Sequence, residues 1–187
     1  MKVVGLTGGV ACGKTAVTSY LRKKKFTVID ADEIVQNLYL KRSVLKQIQN
    51  HFQTTDKGEL RNIIFSNKNA RHILENILHP LVRKEIQSQI KKYKKAHTKS
   101  LIVSIPLLFE KNMQDLFDTV VVVICTEKNQ LKRLMKRDGI NEETAKQMIY
   151  AQLPTKEKEA LANTVIRNNG SIKQLHEKID KLIQKIR

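Results

Sequence analysis

Tryptophan is absent from this chain of 187 residues, proline occurs three times, cysteine twice and glycine only seven times. Each scarcity excludes something. Two cysteines, Cys12 and Cys125, cannot build the disulfide framework of a small secreted domain. No apolar run approaches the ~18 residues that span a bilayer, and the opening MKVVGLTGG turns polar too soon for a signal peptide. A soluble, cytoplasmic protein is expected. Hydrophobic residues at 41% and charged residues at 28% match a globular chain and give no argument for disorder. The length suits one domain, or one domain with an insertion.

Acidic residues are the other scarcity. Eighteen Asp and Glu face 35 Lys and Arg, a formal charge of +17. Such a field attracts polyanions: nucleic acid, an anionic membrane or phosphorylated small molecules. The basic residues are spread over Arg22–Lys25, Lys91–Lys95, Leu131–Arg137 and the C-terminal segment. A nucleic-acid stripe is more often interleaved with aromatics, which make up only 5% here. Charge alone leaves the partner open.

What glycine there is sits at one end. Gly5, Gly8, Gly9 and Gly13 fall within the first 13 residues. KVVGLT reads as a buried strand, and AVTSYLRKKK reads as a helix. Between them runs Gly8-Gly9-Val10-Ala11-Cys12-Gly13-Lys14-Thr15. This is G-x-x-x-x-G-K-[ST] in its required setting, strand before and helix after. Glycines let backbone N–H groups turn inward around phosphates, and the helix N-terminus adds its partial positive charge. Lys14 can reach the outer phosphates, and the Thr15 hydroxyl suits Mg²⁺. The pattern implies a nucleoside triphosphate without naming the reaction.

Further strand-like runs are FTVI (26–29), LIVSI (101–105), TVVVVI (119–124) and TVIRN (164–168), with helical patterns between them. That alternation predicts an α/β protein with a five-stranded parallel sheet. Asp30 and Asp32 follow the second strand, where a carboxylate can orient or deprotonate a hydroxyl, hold a metal-bound water, or simply cap a helix. Residues 33–98 show no convincing strand and form a helical insertion suited to an acceptor. Residues 1–32 and 99–187 then form the nucleotide-binding core. Within the insertion, His79 precedes Pro80, which reads as a first-turn helix proline. EKNQLKRLMKRD (127–138) is a basic helix with Arg133 and Arg137 on one face, ended at Asp138-Gly139. Those arginines suit either a lid over a transferring phosphoryl group or a solvated face.

LTGGVACGKT, VIDADEI, ILHPLVRKEI, IPLLFE, QLKRLMKRDGINEETAKQMIYAQLP and VIRNNGS occur in that order from residue 6 to 171. Together they resemble the dephospho-coenzyme A kinase family. The resemblance implies a P-loop kinase fold with a helical lid at about 127–153, and ATP and Mg²⁺ as the nucleotide and its ion. It implies phosphorylation of the ribose 3′-hydroxyl of dephospho-CoA, the last step of coenzyme A biosynthesis. No obligatory nucleic acid and no membrane enter that scheme.

Position by position, the resemblance places Gly8, Gly9, Ala11, Cys12, Gly13, Lys14, Thr15 and Ala16 around the ATP phosphates, with Arg133 and Arg137 in the lid. Asn169 and Gly170 approach the adenine. Asp32, Lys14 and Arg137 are the catalytic candidates, and Thr15 and Asp32 the metal candidates. Thr7, Asp32, Arg61, His79, Arg83 and Leu107 fall to the acceptor. Departures from the family pattern are Ala11-Cys12 for a Gly-Ser pair, Ser104 and Asn163 at usually acidic positions, and Lys57 for an arginine, with Arg61 as substitute. Ala11 fits the cradle provided it needs no positive φ. Cys12, at a helix N-terminus, is expected to have a lowered pKa. Another small-molecule P-loop kinase and a nucleic-acid-dependent NTPase stay as the alternative classes.

Overall fold

The apolar β-branched runs form β1 (Lys2–Gly8), β2 (Thr27–Asp30), β3 (Ser100–Ser104), β4 (Thr119–Ile124) and β5 (Thr164–Arg167). The computed structural model describes residues 1–186, the side chain of Phe65 aside. All five strands pair in parallel, in the order β2-β3-β1-β4-β5. Every residue of β3, and every residue of β4 after Thr119, is buried. That is why β4 reads as a near-continuous apolar run: helices cover both faces of the sheet. From β1 the chain crosses to β2, and from β3 it crosses the opposite way to β4. Neighbouring strands with opposed connections open a crevice beyond their carboxyl ends.

Around the strands lie α1 (Lys14–Lys23), α2 (Ala31–Leu38), α3 (Arg42–Phe52), α4 (Lys57–Ser66), α5 (Lys68–Lys95), α6 (Glu127–Asp138), α7 (Glu142–Tyr150), α8 (Thr155–Leu161) and α9 (Ile172–Ile186). α9 buries Leu175, Ile179, Leu182, Ile183 and Ile186, an i, i+4, i+7 stripe that faces one way along a helix. It joins Val17 and Leu21 of α1 and Leu6, Val121 and Val123 of the sheet in one core. Fully burying one such side chain stabilises the fold by ~1.5–3 kcal/mol. α6 begins at Thr126, whose hydroxyl accepts from the Asn129 N–H, and stops at Gly139 with φ 66°. Asn163 extends the β4–β5 ladder: its Oδ1 accepts from the Val120 N–H at 2.7 Å, and its own N–H donates to the Val120 carbonyl.

The chain divides into two compact units, one of Met1–Asp30 with the chain from Lys92 onward and one of Ala31–Lys91. The second is all helix. Its core holds Val44, Ile48, Leu60, Leu74 and Leu78. Asp56 starts α4 by accepting from the N–H groups of Gly58 and Glu59, both at 2.9 Å. Pro80 departs from expectation: it stands inside α5, not at a helix start. The proline removes one backbone bond and crowds the carbonyl of Asn76. The buried stripe Ala70, Leu74, Leu78, Val82 and Ile86 continues on both sides of it, so packing keeps one helix where local preference would make two.

In the sheet-bearing unit Lys158 is 1% exposed, with its Nζ 2.7 Å from Glu110 Oε1. The same carboxylate oxygen accepts from the Leu153 N–H at 3.1 Å. Removing one member of a buried pair leaves the other charge uncompensated. Lys158→Ala is expected to destabilise the fold by about 3–5 kcal/mol, and Lys158→Met combined with Glu110→Gln to recover most of that loss. Urea unfolding of the two variants checks it; equal losses in both would remove the pair's assigned role.

Candidate active site

The site begins where β1 meets the edge of the sheet. A Cβ on Gly8 would collide with the Val123 carbonyl of β4, so the loop can leave the sheet here only through glycine. Ala11 (φ 57°) and Gly13 (φ 99°) both lie in the left-handed region. Alternating handedness turns successive N–H groups to one side and makes an anion-binding nest. Gly13 precedes α1, and no side chain caps that helix, which leaves first-turn N–H groups to receive a phosphate. The proviso on Ala11 fails: it does need positive φ, at a cost of roughly 1–2 kcal/mol for a residue with a Cβ.

Three side chains from outside the loop hold it in this shape. Gln152 Oε1 accepts from the Val10 N–H at 2.9 Å, and Gln130 Nε2 donates to the Val10 carbonyl at 2.9 Å. Asn168 Nδ2 donates to the Cys12 carbonyl, also at 2.9 Å. Gln130 and Asn168 are buried. Sequence reasoning missed all three, because amides have no motif of their own. The one available signal was that Gln130 stands one helical turn before Arg133.

Lys14 donates to Ser104 Oγ at 2.7 Å. Ser104, fully buried at the end of β3, pairs in register with Asp30 at the end of β2. The hydroxyl therefore works here as a partner for the loop lysine. Thr15 is exposed in the first turn of α1, with its side chain open to a metal-bound nucleotide. Thr7 is wholly buried and donates to the Pro106 carbonyl at 3.1 Å; Leu107, next along, is half-buried. No group of three or more His, Cys, Asp or Glu suited to a metal occurs among the described residues. A Thr hydroxyl is a hard oxygen donor of the kind Mg²⁺ takes, and Mg²⁺ otherwise keeps its waters and leans on substrate phosphates.

Arg133 and Arg137 differ despite sharing a helix face. Arg133 is half-buried and lies against Cys125. Arg137 is exposed and held by its neighbour, with Nε 2.6 Å and Nη2 2.8 Å from the two oxygens of Asp138. Asn169 Oδ1 accepts from the Thr126 N–H at 2.8 Å, tying the loop after β5 to the start of α6. A Cβ on the adjoining Gly170 would strike the Gln174 amide. Cys12 also departs from expectation. A shared hydrogen bond with Cys125, and then burial, push its thiol up, outweighing the helix N-terminus.

In the helical unit, Asp32 is exposed in the first turn of α2. His79 and Arg83 are both half-buried and stand one turn apart on α5, so they share a face. Arg61 lines a cleft of about 570 Å³ together with Tyr39 and Lys57. The Lys57 ammonium sits 5.6 Å above the Tyr39 ring, a cation–π contact.

The family model for dephospho-CoA kinase matches residues 2–174. The chain belongs to the dephospho-CoA kinase family. Dephospho-CoA kinase of Carboxydothermus hydrogenoformans is 38% identical, over 99% of this chain and 94% of that protein. The solved dephospho-CoA kinase of Campylobacter jejuni superposes with a TM-score of 0.74 at 29% identity, over 98% of this chain and 96% of that one. Shikimate kinase of Bacteroides thetaiotaomicron, at 17% identity and a TM-score of 0.57 over 98% and 97%, shares the fold alone. The fold is that of the P-loop kinases. In this dephospho-CoA kinase family member the strained alanine and the amide clamp give two expected outcomes. Ala11→Gly raises stability by about 1 kcal/mol, read by calorimetry. Gln152→Ala weakens ATP binding by about 1 kcal/mol, roughly fivefold, for the lost bond to Val10; isothermal titration measures it, and unchanged affinity removes the clamp's role.

Proposed function

We propose that this chain transfers the γ-phosphoryl group of ATP to the ribose 3′-hydroxyl of dephospho-CoA, giving CoA and ADP in the last step of coenzyme A biosynthesis. Membership of the dephospho-CoA kinase family supports the acceptor. The observation that carries phosphoryl transfer is the loop itself, a nest with φ 57° at Ala11 and φ 99° at Gly13 that opens onto an uncapped helix and ends in Lys14. No described helix is long and apolar enough to cross a membrane, in keeping with a cytoplasmic enzyme acting on small molecules.

The mechanism rests on positioning and charge. The transferring phosphoryl group has a loose, highly charged transition state, so the protein supplies alignment and positive potential in place of covalent chemistry. N–H groups from Gly9 to Ala16 and the α1 terminus receive the β- and γ-oxygens. Lys14 exchanges the Ser104 hydroxyl for a phosphate oxygen. Thr15 and Asp32 are the groups that would hold Mg²⁺, which when bound adds positive charge beside the phosphates. Asp32, two residues beyond the end of β2, takes the acceptor hydroxyl and accepts its proton. Arg137 leaves Asp138 for the transferring group when the lid of residues 127–153 closes, and Arg133 supports that helix. Asn169 and Gly170 flank the adenine. His79, Arg83 and Arg61, with Thr7 and Leu107, are assigned to the acceptor. The acceptor's own pyrophosphate suits the basic lining at Lys57 and Arg61.

Coupled ADP release from ATP and Mg²⁺ tests the reading, with dephospho-CoA compared against adenosine, AMP and no acceptor. ADP formed only with dephospho-CoA, beside a product with the mass of CoA, is expected; equal ADP release without acceptor would make the chain an NTPase. Lys14→Ala and Asp32→Asn should each lose roughly 10²–10³-fold in turnover, about 3–4 kcal/mol, with the fold intact by circular dichroism. Near-normal turnover of Asp32→Asn removes its role.

A further inference from the structure

The phosphate loop contains a thiol, and a second thiol touches it. Cys12 is the fifth residue of the loop, and Cys125 is the first residue after β4. β1 and β4 pair in parallel with Gly8 opposite Val123, so both cysteines emerge at the same edge of the sheet. Their sulfurs lie 3.1 Å apart and share a hydrogen bond. Both are free thiols and both are buried, Cys12 at 0% and Cys125 at 6% exposure. The backbone of Cys12 is fixed from two sides. Its N–H donates to the Gly9 carbonyl at 3.0 Å, and its carbonyl accepts from Asn168.

A charge stands beside the pair. The Arg133 guanidinium lies against Cys125, and its buried Nη1 has no oxygen acceptor. The hydrogen bond shared with Cys12 and the nearby Arg133 hold the Cys125 thiol below its usual range, while Cys12 is pushed up. The two sulfurs are thus unequal: Cys125 gives up its proton more readily than an ordinary thiol, and Cys12 less readily. A low-pKa thiolate next to a resolving thiol is the arrangement of a redox-sensitive pair.

We propose that Cys12 and Cys125 form a reversible disulfide, made by a hydroperoxide and undone by a dithiol reductant, that switches the phosphate loop off. The chemistry balances in two steps. The Cys125 thiolate attacks the peroxide, the O–O bond breaks, and Cys125 becomes a sulfenic acid while hydroxide leaves. Cys12 then attacks the Cys125 sulfur, the S–O bond breaks, and the Cys12 proton departs with the oxygen as water. One peroxide is reduced and two thiols are oxidised. A disulfide requires about 2.05 Å between the sulfurs, so closure moves the loop by roughly 1 Å. A displacement of that size can cost about 10²-fold where alignment is the source of catalysis.

Hydrogen peroxide is added to the full, folded chain and then removed; intact mass, peptide mapping and iodoacetamide labelling of the subsequently unfolded chain, in which both thiols are open to the reagent, are read before and after dithiothreitol. The mass is expected to fall by two hydrogens, a Cys12–Cys125 peptide to appear, and both thiols to become unreactive. kcat/KM for ATP should drop by about 10²-fold in the same sample, and dithiothreitol should restore all four readouts. Cys125→Ser and Cys125→Ala should keep their basal activity through the same treatment. The proposal is overturned if both thiols stay reactive after peroxide, if the oxidised mass shows added oxygen in place of lost hydrogen, if the cross-link forms and ATP kinetics do not change, or if the Cys125 variants lose activity as the native chain does. The covalent readouts need no acceptor, so a wrong assignment of dephospho-CoA leaves this test standing.

Discussion

A loop of backbone N–H groups can cradle phosphates only if its own peptide planes are held still, and this constraint organises the rest of the molecule. Glycine-rich loops are entropically costly to order. Here the ordering comes from three amide side chains, Gln130, Gln152 and Asn168, each satisfying a loop backbone group at 2.9 Å. They come from α6, from the segment after α7 and from the end of β5. The loop therefore reports on all three elements. The buried Lys158–Glu110 pair extends this support: Glu110 also holds the Leu153 N–H, one residue from Gln152. A carboxylate outside the loop thus steadies, through Leu153 and Gln152, the peptide that carries Val10.

Electrostatics explain the second layer. The loop lysine needs a neutral parking place that will release it to a phosphate, and Ser104 provides a single hydroxyl at 2.7 Å. A carboxylate there would hold the ammonium more strongly, since bonds between charged groups are roughly twice as strong as neutral ones. Arg137 has the opposite arrangement, with both its contacts on the carboxylate of Asp138. That pair is exposed, so water screens it and it exchanges at little cost. Lys14 and Arg137 are thus each held by something weak enough to give up.

Much of the architecture was legible in the residues. All five strands were visible as short β-branched runs, most plainly β4, because the central strands of a parallel sheet are covered on both faces, while the edge strands β2 and β5 are only partly buried. The basic helix at 127–138 was visible to its end because Gly139 is a strong local stop signal, and the structure adds Thr126 as the cap that starts it. The phosphate loop was visible because its spacing has one physical purpose. Pro80 misled, since local preference makes proline a starter of helices, whereas the buried stripe from Ala70 to Ile86 carries α5 straight through it. Ala11 misled for a related reason: nothing in a single residue announces that the loop requires a left-handed φ of 57° there.

What the sequence by itself determined is therefore what depends on near neighbours along the chain: strand and helix periodicity, caps and the phosphate-loop spacing. Only the tertiary structure decided which distant groups meet. Cys12 lies against Cys125, 113 residues away, and Val10 lies against Gln152, 142 residues away. The physical reason is that a parallel sheet brings every βα loop to one edge whatever its position in the chain. Amides, hydroxyls and thiols acquire their roles only at that edge. They carry no periodicity or charge pattern that would announce the meeting beforehand.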